Sequence, residues 1–282
     1  MAQTREFLPQ AKKMYRQVFS VTSPINRALR FCIEAVVSVY AAMRGFHFPA
    51  KYNWDWKLEM LLEKYEEDTV REFKNIITPG MTVIDIGAHI GFFTTLFARL
   101  VGPTGHVYGF EPDADNFALL TKNTRPYKNI SIFNKAVSDK SEKSFLYKMP
   151  GSTGCHSISQ HRDGDIKIPI ETVSIDEFMQ TEKVTAINLI KIDTEGAEPL
   201  AFKGMTQMLA RTAHITIMTE FNPEALKSSG SDPLEFLKDK HTAGFSISQI
   251  TKDGIVPVDI EKLDHTMFYQ GKSDYANMLL VK

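Results

Sequence analysis

The chain has 282 residues, 43% of them hydrophobic and 24% charged, with 33 Lys+Arg against 34 Asp+Glu and a formal net charge of -1. Such values exclude a disordered or fibrous chain, provide enough length for a sizeable core without staples, and make a nucleic-acid partner unexpected. Cys32 and Cys155 make neither a disulfide framework nor a zinc-ligand pattern, which points to a reducing compartment.

Residues 1–60 are read as a helical, aromatic appendage interrupted by Pro24, Gly45 and Pro49. Nine basic and four acidic side chains give this stretch a net charge of +5, leaving -6 for the rest. A basic segment of this kind suits contact with an anionic membrane surface, while a solvated helix face is the plainer reading. MAQTREFLPQAKK carries charge where a signal peptide would be apolar. The most apolar run, Phe31 to Met43, is far shorter than the roughly 20 residues that cross a bilayer. No transmembrane span and a cytoplasmic location are therefore expected.

Leu58 to Ile77 has apolar residues at helical spacing and stops at Pro79-Gly80. Short apolar strands then alternate with helices. The predicted strands are Thr82–Ile86, His106–Glu111, Ile130–Asn134, Ile187–Asp193, His214–Glu220, Phe245–Ile250 and Ala276–Lys282. Helices are predicted over FFTTLFARL and about 113–123, 199–209 and 232–241. A short one is signalled by Ser174 three residues ahead of Glu177, a capping-box spacing. The stretch 138–170 reads as loop-rich. Strand alternating with helix means an α/β domain with a parallel sheet covered on both faces. The domain boundary is expected at residue 60, with 61–282 forming the α/β domain.

Asp85-Ile-Gly87-Ala88-His89-Ile-Gly91 lies between the first strand and its helix, where open α/β sheets hold ligands. Gly87 permits a sharp turn, and Gly91 permits close packing of the next helix. Glu111 ends the following strand and is placed to chelate the two hydroxyls of a ribose. An acid stands where a dinucleotide fingerprint has its first glycine. That carboxylate repels a pyrophosphate and attracts the ammonium of a methionine moiety, so S-adenosylmethionine is favoured over NAD.

VIDIGAHIGFFT, GFEP, KAVSD and IKIDTEGAE (190–198), in this order, resemble the FkbM-type methyltransferases, a branch of the class I S-adenosylmethionine-dependent fold. The resemblance covers about residues 65–282, with His89 a mild departure at a position where the family commonly has Asn. It implies a Rossmann-like, seven-stranded, mostly parallel sheet with an antiparallel last strand. It also implies methyl transfer to a hydroxyl of a sugar, glycolipid or polyketide-like small molecule. Asp85, Gly87, Ala88, His89 and Gly91 would then line the methionine portion, Glu111 and Pro112 the ribose, and Ala136 and Val137 the adenine. In that setting residues 1–60 are expected to cap the acceptor pocket, with Trp54 and Trp56 as an aromatic plug or a stacking surface.

An alcohol acceptor must lose its proton, which calls for a base or a metal. Asp193 at a strand end and Glu195 on the turn that follows are ranked first. Glu220 and Asn222, after the fifth strand, resemble with Asp193 a hard-oxygen magnesium site; their other reading is a loop held by Asn222-Pro223 turn chemistry. His156, in the Gly/Ser-rich GSTGCHSIS, is a further candidate base, and Cys155 reads as an inert thiol. The alternatives are an N-methyltransferase of another substrate class, which ordinarily has an [DN]-P-P-[YF] turn absent here, and a non-catalytic cofactor-binding module.

Overall fold

The computed structural model describes residues 24–149, 154, 156–159, 164–263 and 275–282. Cys155 and much of the loop around it lie outside them. The chain divides into two compact units after Tyr65. In the first, α1 (Pro24–Met43) and α2 (Trp54–Leu61) pack through Val37, Ala41 and Leu61, with Trp54 against them. Trp56 is half exposed and meets the Tyr52 ring edge-on at 5.7 Å.

The single helix expected over Leu58–Ile77 is two. α2 ends at Leu61, and α3 (Glu67–Ile76) begins after a turn in which Glu63 and Glu66 take positive φ. Neither glycine nor proline advertises that break, so apolar spacing alone runs across it.

The second unit is built on an eight-stranded sheet in the order β11-β10-β12-β9-β8-β1-β2-β3. Its strands are β1 (Thr82–Ile86), β2 (His106–Phe110), β3 (Ile130–Phe133), β8 (Leu189–Ile192), β9 (Thr216–Phe221), β10 (Ser246–Thr251), β11 (Gly254–Pro257) and β12 (Ala276–Val281). β3, β2, β1, β8 and β9 run parallel, and β12 lies antiparallel between β9 and β10. This is the expected Rossmann-like class I arrangement, with its antiparallel last strand. The seven predicted strands are all present, and β11 adds an eighth at the edge through a hairpin whose two-residue turn is Lys252-Asp253.

Continuous apolar runs make the central strands because both sheet faces are covered. Phe73 meets Phe97 at 4.6 Å and Phe93 at 5.4 Å, joining α3 to α4 (Phe92–Val101). Phe110, Phe133 and Phe178 form a second cluster with centroids 5.0–5.3 Å apart. Each fully buried phenylalanine contributes about 1.5–3 kcal/mol. Ser174 caps its helix as expected, and acids cap two others. Asp113 accepts from the N–H groups of Asp115 and Asn116 to begin α5 (Ala114–Thr124), and Ser174 accepts from Glu177 N–H for α6 (Ile175–Thr181). Asp232 likewise caps α10 (Pro233–Thr242).

Three further segments differ from expectation. The stretch 138–170 is not mainly loop: β5 (Lys143–Lys148), β6 (His156–Ser157) and β7 (Ile166–Val173) join β4 (Ala136–Val137) in a small sheet ordered β4-β7-β5-β6. The helix expected over 199–209 is split into α7 (Glu198–Lys203) and α8 (Thr206–Arg211). Between them a Cβ at Gly204 would collide with the Ser138 carbonyl oxygen. An additional short helix, α9 (Pro223–Ser228), follows β9.

Candidate active site

The carboxyl ends of β1, β2, β8 and β9 converge on one crevice, the position at which an open parallel sheet holds its ligand. Gly87 has φ +79, and its N–H and that of Ala88 both donate to the Phe110 carbonyl, at 3.0 and 2.9 Å. A Cβ on Gly87 would strike the Asp193 carbonyl oxygen, so glycine lets the turn after β1 lie against the turn after β8. His89 adopts φ +51, and its backbone N–H donates to Glu111 Oε2 at 2.8 Å. Gly91, at φ +92, starts α4 and packs so close to Leu120 that a Cβ would come within 2.8 Å of its Cδ1.

Glu111 is buried at the end of β2, and its other oxygen accepts the Asp113 N–H at 2.9 Å. Burial pushes its pKa up to about 7, against the backbone donors from Asp113 and His89 that favour the charge. The structure thus fixes this carboxylate's geometry with two backbone amides beside Pro112. The His89 ring is driven down to about 4 by burial, with Asp193 opposing and His156 adding to the shift. Asn134 Nδ2 donates to the Glu111 and Pro112 carbonyls at 2.8 and 3.0 Å, locking the same corner.

Asp85 is fully buried rather than open to the crevice. Thr94 Oγ1–H donates to its Oδ2 at 2.6 Å, and Lys191 Nζ stands 3.9 Å from its Oδ1. Burial raises the Asp85 pKa, while Lys191 and Thr94 oppose that shift. Lys191 went unremarked in the sequence. It lies on β8 in register with Asp85, is itself buried, and donates to Asp193 Oδ2 at 3.0 Å. Burial works against its charge, but Asp193, Asp85 and Glu66 together hold its pKa well above the ordinary lysine value. Its ammonium also sits 5.1 Å from the centroid of the Phe93 ring. Asp85, Lys191 and Asp193 therefore form one buried chain of charge that ends at a carboxylate 36% exposed.

The turn after Asp193 is held from within. Glu198, fully buried, accepts from Thr194 N–H, Thr194 Oγ1–H and Gly196 N–H at 3.1, 2.9 and 3.2 Å. Glu195 takes φ +53 and Gly196 φ +92, which swings the Glu195 backbone out of the strand direction. Glu220, the penultimate residue of β9, has a buried Oε2 with no hydrogen-bond partner among the described residues. Burial first, then the charges of Asp193, Glu195 and Glu198, raise its pKa well above the carboxylate range. Asn222 is a helix cap: its Oδ1 accepts the Ala225 N–H at 3.1 Å to begin α9. Among the described residues no group of three or more His, Cys, Asp or Glu side chains is placed to hold a metal ion.

His156 lies on β6 opposite Lys148, whose ammonium pairs with Asp113. Ser157 Oγ–H reaches the Thr194 carbonyl at 3.5 Å, which ties this strand to the turn carrying Glu195. Ala136 and Val137 are buried in the small sheet, paired with Thr172 and Val173. Asp85, the 87–91 turn, Glu111, Asp193 and Glu220 thus lie at the carboxyl ends of strands of the main sheet, whereas Ala136, Val137 and His156 belong to the small sheet.

A glycine turn after the first strand, a carboxylate at the end of the second and an acidic cluster over the fourth and fifth define a class I methyltransferase crevice. The partly exposed edge of this acidic cluster, at Asp193, suits the cationic sulfonium of S-adenosylmethionine, the methyl donor. Comparison with known proteins narrows this class. The Methyltransferase FkbM domain matches residues 85–247. The hexuronic acid methyltransferase AglP of Haloferax volcanii is 28% identical over 197 residues, which is 69% of this chain and 70% of that protein. The 2-O-methyltransferase NoeI of Sinorhizobium fredii is 26% identical over 176 residues, 57% of this chain and 71% of that one. Among solved structures, an O-methyltransferase from Bacillus cereus is 13% identical, with 89% of this chain and 90% of that chain covered at a TM-score of 0.44. The chain belongs to the FkbM methyltransferase family and is an S-adenosylmethionine-dependent methyltransferase. Among the described residues no helix is long and apolar enough to cross a membrane.

Proposed function

We propose that the enzyme methylates a hydroxyl of a sugar or uronic-acid acceptor and that Asp193 takes the hydroxyl proton. The observation that carries this reading is the half-exposed Asp193 carboxylate, one oxygen of which is fixed by the buried Lys191 at 3.0 Å. S-adenosylmethionine supplies an activated methyl on a cationic sulfur. The protein's work is then alignment of the acceptor oxygen and removal of its proton.

Lys191 holds Asp193 Oδ2 and leaves the other carboxylate oxygen for the acceptor. Asp85 works through Lys191, as the second anion that keeps the ammonium charged. Glu111 holds the ribose hydroxyls, with Pro112 shaping the corner, and Ala88 and His89 present the turn to the methionine portion. Ala136 and Val137 form the apolar wall for the adenine. Glu220 stands beside Asp193, where burial and the neighbouring acids raise its pKa and weaken it as a competing anion. Glu195 and His156 border the acceptor side, Glu195 on the turn after β8 and His156 next to Ser157, which bonds to that turn. The mechanism is written without magnesium, since Asn222 Oδ1 already caps α9 and Asp193 Oδ2 is held by Lys191. The two relatives named for sugar chemistry support the acceptor class.

Methyl-labelled S-adenosylmethionine incubated with uronic acids, neutral hexoses and amine acceptors tests the reading. An O-methyl sugar product is expected; transfer to amines alone would overturn it. Asp193→Asn should lower turnover by about two orders of magnitude or more while leaving cofactor affinity far less changed. Added EDTA should not alter the rate, and a loss restored by magnesium would return Asp193 to the role of metal ligand.

A further inference from the structure

α1 is apolar on two faces. Ile33, Val37, Tyr40 and Ala41 turn toward α2. On the other side Phe31, Val36, Val39 and Met43 are 76%, 68%, 60% and 80% exposed, and Leu29 is exposed beside them. At 100° per residue, Phe31 and Leu29 bound an arc of about 160° that contains these five, three alanines and Cys32 and no polar side chain. A helix on a watery surface would be polar over this arc. The charges lie outside it. Arg27 and Arg30 are exposed, whereas Glu34, the helix's acid, is paired with Lys57 at 3.0 Å. Arg5, Lys12, Lys13 and Arg16 precede the helix with Glu6 as the only acid, and residues 1–60 carry +5 in all.

We propose that the outer face of α1 is an interfacial anchor for an anionic lipid surface. The helix lies flat, its apolar arc sunk into the headgroup–acyl boundary and Arg27 and Arg30 against lipid phosphates. Twenty residues give a contact about 30 Å long. Charge decides between lipid and a second copy of the chain. Pairing two such helices face to face would bring together two segments of +5, whereas anionic lipid neutralises them. This inference rests on the first unit alone and stands whether or not the acceptor is a sugar.

The test is co-sedimentation of the full chain with vesicles of phosphatidylcholine alone and of phosphatidylcholine with about 30% phosphatidylglycerol. Pelleting is expected with the anionic vesicles, falling about tenfold in high salt or without phosphatidylglycerol. Val36→Glu with Val39→Glu puts charge inside the arc without touching the buried face and should reduce binding about tenfold or more. Arg27→Gln with Arg30→Gln should reduce it about tenfold at low salt while leaving the apolar arc intact. Circular dichroism and melting curves matching those of the unsubstituted chain establish that both variants fold. Failure of the unsubstituted chain to pellet, or equal pelleting of the Val36→Glu/Val39→Glu variant, overturns the proposal. So does a concentration-dependent dimer in sedimentation velocity that this variant dissolves in the absence of vesicle binding.

Discussion

Lys191 sits on a central parallel strand, where valine or isoleucine is usual, and its ammonium is kept there by two carboxylates. Removing one partner of a buried ion pair leaves uncompensated charge and costs about 3–5 kcal/mol. Lys191→Met should therefore lower the melting temperature sharply and abolish turnover. Adding Asp85→Asn to it should restore much of the stability, because the orphaned buried anion is gone, while turnover stays low because Asp193 is still unanchored. Thermal melts and steady-state kinetics of the single and double variants check this. Recovery of both properties together would show Lys191 to be a packing residue only. Glu111 offers a titration. Its pKa of about 7 lies above the ordinary 4.5, so the folded chain loses stability as pH rises from about 4.5 to about 7 and the group is forced to ionise. Ribose hydroxyls donate to the ionised form, so cofactor binding expels a proton and affinity should climb with pH through about 7 before levelling off. Calorimetry in buffers of different ionisation enthalpy measures that proton, and Glu111→Gln should flatten the pH dependence.

The two turns that make the crevice depend on each other. Gly87 carries a positive φ and faces the Asp193 carbonyl with no room for a methyl group. Gly87→Ala must therefore separate the turns after β1 and β8 or strain both, and should cost about 3 kcal/mol or more. Its melting temperature should fall, with S-adenosylmethionine binding weakened along with it; an unchanged melt would mean that the turns are not held against each other. The D-x-G spacing was legible in the sequence as a turn, yet its partner was not. Contact between residues 87 and 193 arises because β1 and β8 are neighbours in the sheet, more than a hundred positions apart in the chain. The small sheet was missed for a different reason. β5 (KSFLYK) carries neither a continuous apolar run nor an alternation, while β7 alternates Ile166, Ile168 and Ile170 but holds Pro169, which argues against a strand.

At the scale of the whole molecule, every residue assigned to cofactor binding or catalysis lies beyond Tyr65. A fragment of residues 66–282 should therefore bind S-adenosylmethionine within about threefold of the full chain, a factor worth about 0.7 kcal/mol. Calorimetry on the fragment checks this, and its turnover reports what the first unit adds to the reaction. The amino-acid sequence by itself determined the α/β class, the strand cores, the caps at Asp113, Ser174 and Asp232, and the glycine turn with its downstream acid. All of these rest on local chemistry: apolar runs, capping side chains and left-handed backbone at glycine. Tertiary structure alone decided that Lys191 bridges Asp85 and Asp193 and that Asp85 is buried. Those outcomes depend on strand register and burial. The cost of an unpaired charge is set by neighbours distant in the chain, and a linear reading cannot count them.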